Sequence, residues 1–262
     1  MRFTVPESAP RAKIAQLLIF GAQVLCVRGS YDQAFDLSLA ATRRWGWYSR
    51  STAFNPYLSE GKKTVSLEIC EQLGFEAPDR IYVPVGDGCI IGGVEKGLRD
   101  LKALGLIERM PRVVGVQAEG SAAIANAFAT GTEQVAPVEP TTLADSISVG
   151  RPRDAIKALR AVRRTGGMYV KVSDEEILSA MRLLGHEAGV FAEPAGSTAL
   201  AGLLKQAREG SVGRGERAVV IVSGSGLKDV DSAVRAAPPA TTIDPSEEAM
   251  AEAVAKLGLA GI

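Results

Sequence analysis

Histidine, cysteine and net charge are all scarce in this chain of 262 residues, which has one histidine and three cysteines. Cys26, Cys70 and Cys89 are widely separated and form no CxxC spacing, so we expect reduced core thiols and neither a disulfide framework nor a metal site. His186, the single histidine, lies near a predicted helix end. A lone histidine in that position argues against a Ser-His-Asp hydrolase.

The balance of charge excludes several kinds of partner. Lysine and arginine total 30, as do aspartate and glutamate, so no general field attracts nucleic acid or an anionic membrane. No apolar run reaches the roughly 20 residues needed to cross a bilayer, and the start has no signal-peptide pattern. We therefore expect a cytoplasmic protein whose partners include no nucleic acid and no membrane.

Short β-branched runs alternate with amphipathic stretches along the chain. The runs predict buried strands at 23–27, 81–85, 112–117, 168–172 and 218–222. The amphipathic stretches predict helices at 12–20, 31–45, 63–73, 93–104, 153–164, 174–185 and 196–208. This alternation predicts an α/β fold with mostly parallel open sheets and helices on both faces.

Two changes in composition suggest domain boundaries. The segment 48–61 has little periodicity, and 236–247 is a linker before a terminal helix near 248–257. We predict an incomplete smaller domain at 1–50, a larger domain at 51–235, and a linker with a terminal helix at 236–262. A strand at Phe3–Val5 would start with nothing before it to pair, so we expect a truncated chain or an edge that another chain covers.

The strongest local motif is VPVGDGCIIGG, in which a buried strand runs into Gly86, Asp87 and Gly88 and then a helix beginning near Gly92. Glycines at such a turn let backbone amides converge, and the helix amino terminus adds partial positive charge, so a phosphate could bind without a lysine. A plain tight turn remains an alternative. The turn matches neither the Walker pattern nor GxGxxG, which would need glycine where Ile91 stands.

Three further segments are candidates for function. Ser223 follows the strand at 218–222, where open α/β sheets bind ligands, so its hydroxyl could meet a ring nitrogen or simply cap a helix. Glu193 precedes a helix rich in small residues, which suits close packing on a sheet or a cofactor. Arg151 and Arg153 are of a type usually solvated, although they could present a guanidinium to an acidic substrate.

Several longer segments, taken in order, carry a family resemblance. They are VPESAPRAKIAQLLIFGAQVLCVRG, NPYLSEGKKTVSLEI, VPVGDGCIIGG, GVQAEG, LADSISVGRPRD, VSDEEILSAMRLLGHEAGVFAEPAGSTALAGL and VSGSGLKD. From about Val5 to Asp229 the chain resembles the fold-type-II pyridoxal-phosphate enzymes, and among them the threonine synthases.

The resemblance implies pyridoxal 5′-phosphate as the cofactor and a small amino-acid substrate. It implies a pyridine nitrogen facing Ser223, and a cofactor phosphate held by the backbone amides of Gly86, Asp87, Gly88, Cys89 and Ile90. For a threonine synthase, the implied reaction is a lyase step of threonine biosynthesis that converts O-phospho-L-homoserine and water to L-threonine and phosphate. A threonine/serine dehydratase or a cysteine-synthase relative is the alternative within the family.

One departure from the family pattern bears on activity. Family members carry a Schiff-base lysine in a Ser-Phe-Lys-Asp-type motif ahead of the VPES segment, followed by a Ser/Thr-Gly-Asn loop, and neither motif is present in this sequence. Lys13, Lys62, Lys63 and Lys228 lie in family segments that imply other positions. We therefore expect no turnover by this chain alone.

The departure also leaves a non-catalytic reading open. In that reading the chain is a fragment of a split protein that binds phosphate or pyridoxal phosphate. We expect a homodimer, or an assembly with a missing amino-terminal segment.

Overall fold

The computed structural model describes residues 1–51 and 53–259 and contains two parallel sheets. The first sheet pairs β1 (Arg2–Pro6) with β2 (Gln23–Val27) in parallel register. Helix α1 (Arg11–Ile19) connects the two strands, and α2 (Tyr31–Trp45) follows β2. Ser30 caps α2 by accepting a hydrogen bond from the Gln33 amide, which explains why the helix starts at Tyr31.

The second sheet has four parallel strands in the order β5–β4–β3–β6. Its strands are β3 (Arg80–Pro84), β4 (Arg112–Ala118), β5 (Met168–Val172) and β6 (Ala218–Val220). Because β3 and β6 are parallel neighbours, their carboxyl ends open onto the same edge of the sheet. The turns that follow these two strands therefore lie side by side.

Helices cover both faces of the second sheet. The helices that follow α2 are α3 (Pro56–Lys62), α4 (Thr64–Gln72), α5 (Cys89–Ala103), α6 (Ala123–Ala129), α7 (Ala155–Arg164), α8 (Asp174–Ala188), α9 (Pro194–Arg208), α10 (Val230–Ala236) and α11 (Glu247–Leu257), of which α11 buries no residue. Ile81 packs into one core with α5 and α7, while Tyr82 packs into the other with α8 and α9. Successive residues of a strand point to opposite faces, and with both faces covered all five residues of β3 are buried, including Arg80.

The predicted α/β fold is confirmed, with local differences. Helix α5 begins at Cys89 and not near Gly93, because Gly88, at φ +94°, ends the preceding turn and caps the helix. The aperiodic segment 48–61 contains α3, which begins at Pro56 behind the capping side chain of Asn55. Strand β6 ends at Val220, and the short helix α6 was not predicted.

The first sheet buries few apolar side chains. Ile19, Phe20 and Leu25 are 83, 81 and 56% exposed. Cys26 on β2 is also exposed, so the expectation of a core thiol is wrong there, whereas Cys70 and Cys89 are buried. Within the described part of the chain few elements pack against β1 and β2, so their side chains remain open to solvent.

The division into units at 1–50, 51–235 and 236–262 stays a prediction. Thr52 and residues 260–262, which fall within those units, lie outside the described residues. Across the described ranges, every helix falls short of the length and apolarity needed to cross a membrane.

Candidate functional site

A cavity of about 590 Å³ opens at the carboxyl edge of the second sheet and is bounded on its other side by the first sheet. Its volume lies in the range of about 300–1,000 Å³ that is usual for small-molecule sites. All of the residues that the resemblance assigns to cofactor binding line it: Gly86, Asp87, Gly88, Cys89, Ile90 and Ser223. Within the described residues, no group of three or more histidine, cysteine, aspartate or glutamate side chains is placed to bind a metal.

The glycine turn after β3 is packed tightly against neighbouring segments. A Cβ at Gly86 would lie 2.9 Å from Cα of Ile147, and one at Gly88 would lie 2.8 Å from Cβ of Ala158. Gly88 also has a positive φ, which favours glycine. These two positions therefore require glycine for the backbone to follow this path.

The backbone amides of this turn are available to a ligand. Those of Gly86, Asp87, Gly88 and Ile90 donate no hydrogen bond to the described part of the chain; the first amide of α5 to do so is that of Gly92, which donates to the Gly88 carbonyl over 3.2 Å. Converging amides at a helix amino terminus form an anion site. The turn thus fits a phosphoryl group.

The carboxylate of Asp87 points into the protein and not toward the cavity centre. Its Oδ2 accepts a hydrogen bond from the Tyr31 hydroxyl at 2.8 Å, and its Oδ1 accepts one from the Arg153 amide at 3.0 Å. Burial raises the pKa of Asp87, and burial together with the nearby carboxylate raises that of Tyr31. Asp87 therefore offers a ligand its amide, while its side chain anchors the turn to α2.

Arg153 and Asp32 form an ion pair next to the glycine turn, where the Arg153 amide binds Asp87. Nη1 of Arg153 lies 2.8 Å from Oδ1 of Asp32, and its guanidinium carbon lies 4.4 Å from the ring centroid of Phe35. The Arg153 side chain is only 15% exposed and does not line the cavity, so the expectation of a solvated or substrate-facing guanidinium is wrong for it. Arg151 is half-exposed and pairs with Asp36 at 2.6 Å.

The Ser223 turn packs against the start of α9. The amide of Glu193 donates to the Gly224 carbonyl over 3.0 Å, and a Cβ at Gly196 would clash with the Ser223 carbonyl. The Ser223 hydroxyl makes no hydrogen bond with the described residues, although it lines the cavity. This hydroxyl is available to a ligand, and the small residues of α9 allow the close approach that the sequence predicted.

The sequence did not single out Lys13 or Tyr31. Lys13 is the one lysine or arginine among the described residues that line the cavity, and it pairs with Asp145 at 2.8 Å. Both residues contact partners more than 50 positions away along the chain. A sequence pattern carries no signal for contacts of that kind, since they depend on how the two sheets meet.

Comparisons with known proteins point to one family. Residues 1–224 match the family model described as pyridoxal-phosphate dependent enzyme. Threonine synthase from Methanocaldococcus jannaschii is 40% identical over 225 residues, which cover 86% of this chain and 55% of that protein. Threonine synthase from Mycobacterium bovis is 36% identical over 248 residues, which cover 95% of this chain and 66% of that protein.

Solved structures agree with this fold. The processed form of threonine deaminase isoform 2 from Solanum lycopersicum superposes with a TM-score of 0.74 at 21% identity, covering 90% of this chain and 65% of that chain. Maize serine racemase superposes with a TM-score of 0.68 at 23% identity, covering 86% of this chain and 65% of that chain. The chain spans 55 to 66% of the length of the two threonine synthases. With a family model matching 224 of its 262 residues, the chain belongs to the pyridoxal-phosphate-dependent enzymes.

Proposed function

We propose that this chain provides the cofactor-binding part of a threonine synthase-type lyase. The observation that carries the proposal is the convergence of the glycine turn at 86–90 and Ser223 on one cavity. In this proposal the cofactor phosphate binds the backbone amides of the turn and the pyridine nitrogen faces the Ser223 hydroxyl. The identity of 36–40% to threonine synthases supports O-phospho-L-homoserine as the amino-acid substrate.

Each part of the cavity has a separate task in this proposal. The amides of Gly86 and Gly88, with the positive end of α5, hold a phosphate dianion without a basic side chain. The Ser223 hydroxyl is neutral, so it orients the ring through a hydrogen bond without placing a full charge next to the pyridine nitrogen. Pyridoxal phosphate, when bound, supplies an electron sink for negative charge on substrate carbon.

Lys13 does not suit the role of the family's covalent lysine. Its ammonium lies 2.8 Å from Oδ2 of Asp145 and 3.6 Å from Oε2 of Glu193. Hydrogen bonds to Asp145 and Ser146 hold its nitrogen against the loop at 145–146, so this nitrogen is already engaged and is not placed to attack an aldehyde. We therefore propose that the chain as given binds the cofactor and does not turn over substrate.

A second proposal concerns assembly, and the exposed first sheet favours it. Leu25 on β2 and Leu37 and Trp45 on α2 are each more than half exposed, as are Ile19 and Phe20. Each of the two strands has one partner in the described part of the chain, which leaves an open edge on both sides. Exposed apolar area and open strand edges suit a complementing polypeptide segment or a second copy.

Binding measurements test the first proposal. We expect the chain to bind inorganic phosphate and to bind pyridoxine 5′-phosphate, which has the ring and no aldehyde, more tightly. Ser223→Ala should weaken the ring ligand about fivefold and leave phosphate unchanged, since about 1 kcal/mol of one hydrogen bond is lost. Equal affinity for phosphorylated and unphosphorylated pyridoxine would contradict the proposed phosphate site.

Two further assays address turnover and assembly. Incubation with pyridoxal phosphate and O-phospho-L-homoserine should release no threonine above a protein-free control, and sustained turnover would overturn the proposed dependence on an additional lysine. Sedimentation should give a dimer or a concentration-dependent, marginally stable species. A sharply melting monomer would contradict the proposed assembly.

A further inference from the structure

Lys13 reaches from α1 to the loop at 145–146, which lines the cavity. We call the part of the cavity beside Ser223 the ring end and the part beside the glycine turn the phosphate end. Lys13 lies on α1, yet its Nζ donates to Oδ2 of Asp145 at 2.8 Å and to Oγ of Ser146 at 2.7 Å. Both acceptors line the cavity and belong to the short helix Asp145–Ile147, whose Ile147 packs against Gly86. An ammonium has three donors. Two of them form hydrogen bonds with this loop, and the third faces Glu193 at 3.6 Å.

A continuous chain of contacts leads from Lys13 to Ser223. Ser146 accepts from Lys13 and donates its own hydroxyl proton to Oε1 of Glu193 over 3.0 Å. The Glu193 side chain in turn packs against Gly224, where an added Cβ would clash with the carboxylate. The Glu193 amide holds the Gly224 carbonyl at 3.0 Å, so the position of Glu193 sets that of the turn carrying Ser223.

The position of the buried Glu193 carboxylate depends on the positive charge of Lys13. The Glu193 side chain is 6% exposed, and Lys13 is its one ion-pair partner among the described residues. A buried carboxylate without a countercharge moves toward solvent or rearranges, because an uncompensated buried charge is costly. Removing the Lys13 ammonium should therefore displace Glu193, and with it the Ser223 turn.

The glycine turn has a different anchor. Asp87 is held by Tyr31 and by the Arg153 amide, and none of the hydrogen bonds of Lys13 reaches it. Ile147 of the Lys13-bound loop packs against Gly86, but the anchors of Asp87 do not involve that loop, so a change at Lys13 should leave the start of α5 in place. The two ends of the cavity are tied to the first sheet by separate side chains.

We propose that Lys13 is a positioning residue that sets the Ser223 turn through Ser146 and Glu193, and so controls how the site accepts the ring of a bound pyridoxal ligand without affecting its phosphate. The effect on the ring rests on the function proposed above. The effect on the Ser223 turn concerns the unliganded protein and is independent of that function.

Amide hydrogen exchange on the unliganded full chain tests the positioning step. The amides of Glu193 and Gly226, which bond to the carbonyls of Gly224 and Phe191, report on the ring end; the amide of Gly92, bonded to Gly88, reports on the phosphate end. Lys13→Met should speed exchange at the first two about fivefold and leave Gly92 unchanged, since local opening is governed by local contacts. Lys13→Arg, which keeps the charge, should restore most of the protection.

Lys102→Met is the matched control, because Lys102 lies at the end of α5 and its Nζ contacts only the carbonyl of Glu108 at 3.2 Å. It should leave all three exchange rates at wild-type values. Unchanged rates in Lys13→Met, or an equal rise at all three amides, would overturn the proposal. Failure of Lys13→Arg to recover protection would do so too, by assigning the effect to the alkyl chain.

Ligand binding separates this proposal from the proposed function. Lys13→Met should weaken pyridoxine 5′-phosphate about fivefold and leave inorganic phosphate unchanged, as expected for a shift confined to the ring end. If the wild-type chain binds neither ligand, the proposed function fails while the exchange rates still decide the role of Lys13. If Lys13→Met weakens both ligands equally, the selective role of Lys13 is overturned.

Discussion

The hydroxyl of Tyr31 donates a hydrogen bond to Oδ2 of Asp87 over 2.8 Å and thereby joins helix α2 of the first sheet to the glycine turn of the second. The two residues are 56 positions apart in sequence. Asp87 also accepts from the Arg153 amide, so its carboxylate receives hydrogen bonds from two separate elements. The turn proposed to bind phosphate is therefore held from outside itself.

Tyr31→Phe removes the hydroxyl and should destabilise the chain by about 1.5 kcal/mol, the value typical of a hydrogen bond to a charged group. It should also weaken phosphate binding, because the glycine turn loses one anchor. Urea unfolding and phosphate titration measure the two effects. Tyr57→Phe is the control, since Tyr57 is 75% exposed and should tolerate the change. Equal stability of the two variants would contradict the role given to Tyr31.

Asp87 should produce a measurable pH dependence. Burial raises its pKa in the folded state, so between its ordinary pKa and the raised one the folded protein binds more protons than the unfolded protein. Asp87 therefore lowers the free energy of unfolding as the pH rises through this window. Asp87→Asn should become progressively more stable relative to wild type across it, and a pH-independent difference in urea unfolding would count against this sign.

Gly88→Ala should destabilise the chain by about 2 kcal/mol or more, because alanine must adopt a positive φ and also meets Ala158 at 2.8 Å. Gly105→Ala is the matched control: Gly105 has φ +71° but a Cβ there would meet nothing within 4 Å, so only the backbone cost of about 1 kcal/mol applies. Thermal unfolding of both variants measures the difference. An equal cost would show that the close packing of the turn does not matter.

Arg153→Met should cost about 3 kcal/mol, because it leaves Asp32, whose side chain is 13% exposed, without its closest countercharge. Arg160→Met removes an ion pair with Glu133 at 2.9 Å, but both side chains of that pair are at least 40% exposed, so water screens the pair and the cost should be clearly smaller. Urea unfolding at low and moderate salt compares the two. A large salt sensitivity at Arg153 would indicate that its pair is more solvated than we describe.

The sequence predicted the local parts of the site and missed the connections between them. The glycines at 86 and 88 and Ser223 are recognisable because turns have a characteristic local composition, and each of these residues follows closely after the end of a strand. The contacts of Lys13 with Glu193 and of Tyr31 with Asp87 depend on the packing of two sheets. No spacing along the chain encodes that packing.

The same limit explains the errors in the fold. Arg153 was assigned to a solvated face because arginine usually is, but the ring of Phe35 and the carboxylate of Asp32 enclose it. Cys26 was assigned to a core because its strand is apolar, but β2 has no buried residue in the described structure. In both cases the neighbours that decide burial come from another element.

The adjacency of β3 and β6 has a consequence for how the cavity arises during folding. Strand β3 ends at Pro84 and β6 begins at Ala218, so about half of the 262 residues separate two strands that must pair. Contacts of such long range form late, since the loop between them must first be closed. We therefore expect the glycine turn to form before the neighbouring Ser223 turn joins it, so the two parts of the cavity come together late in folding.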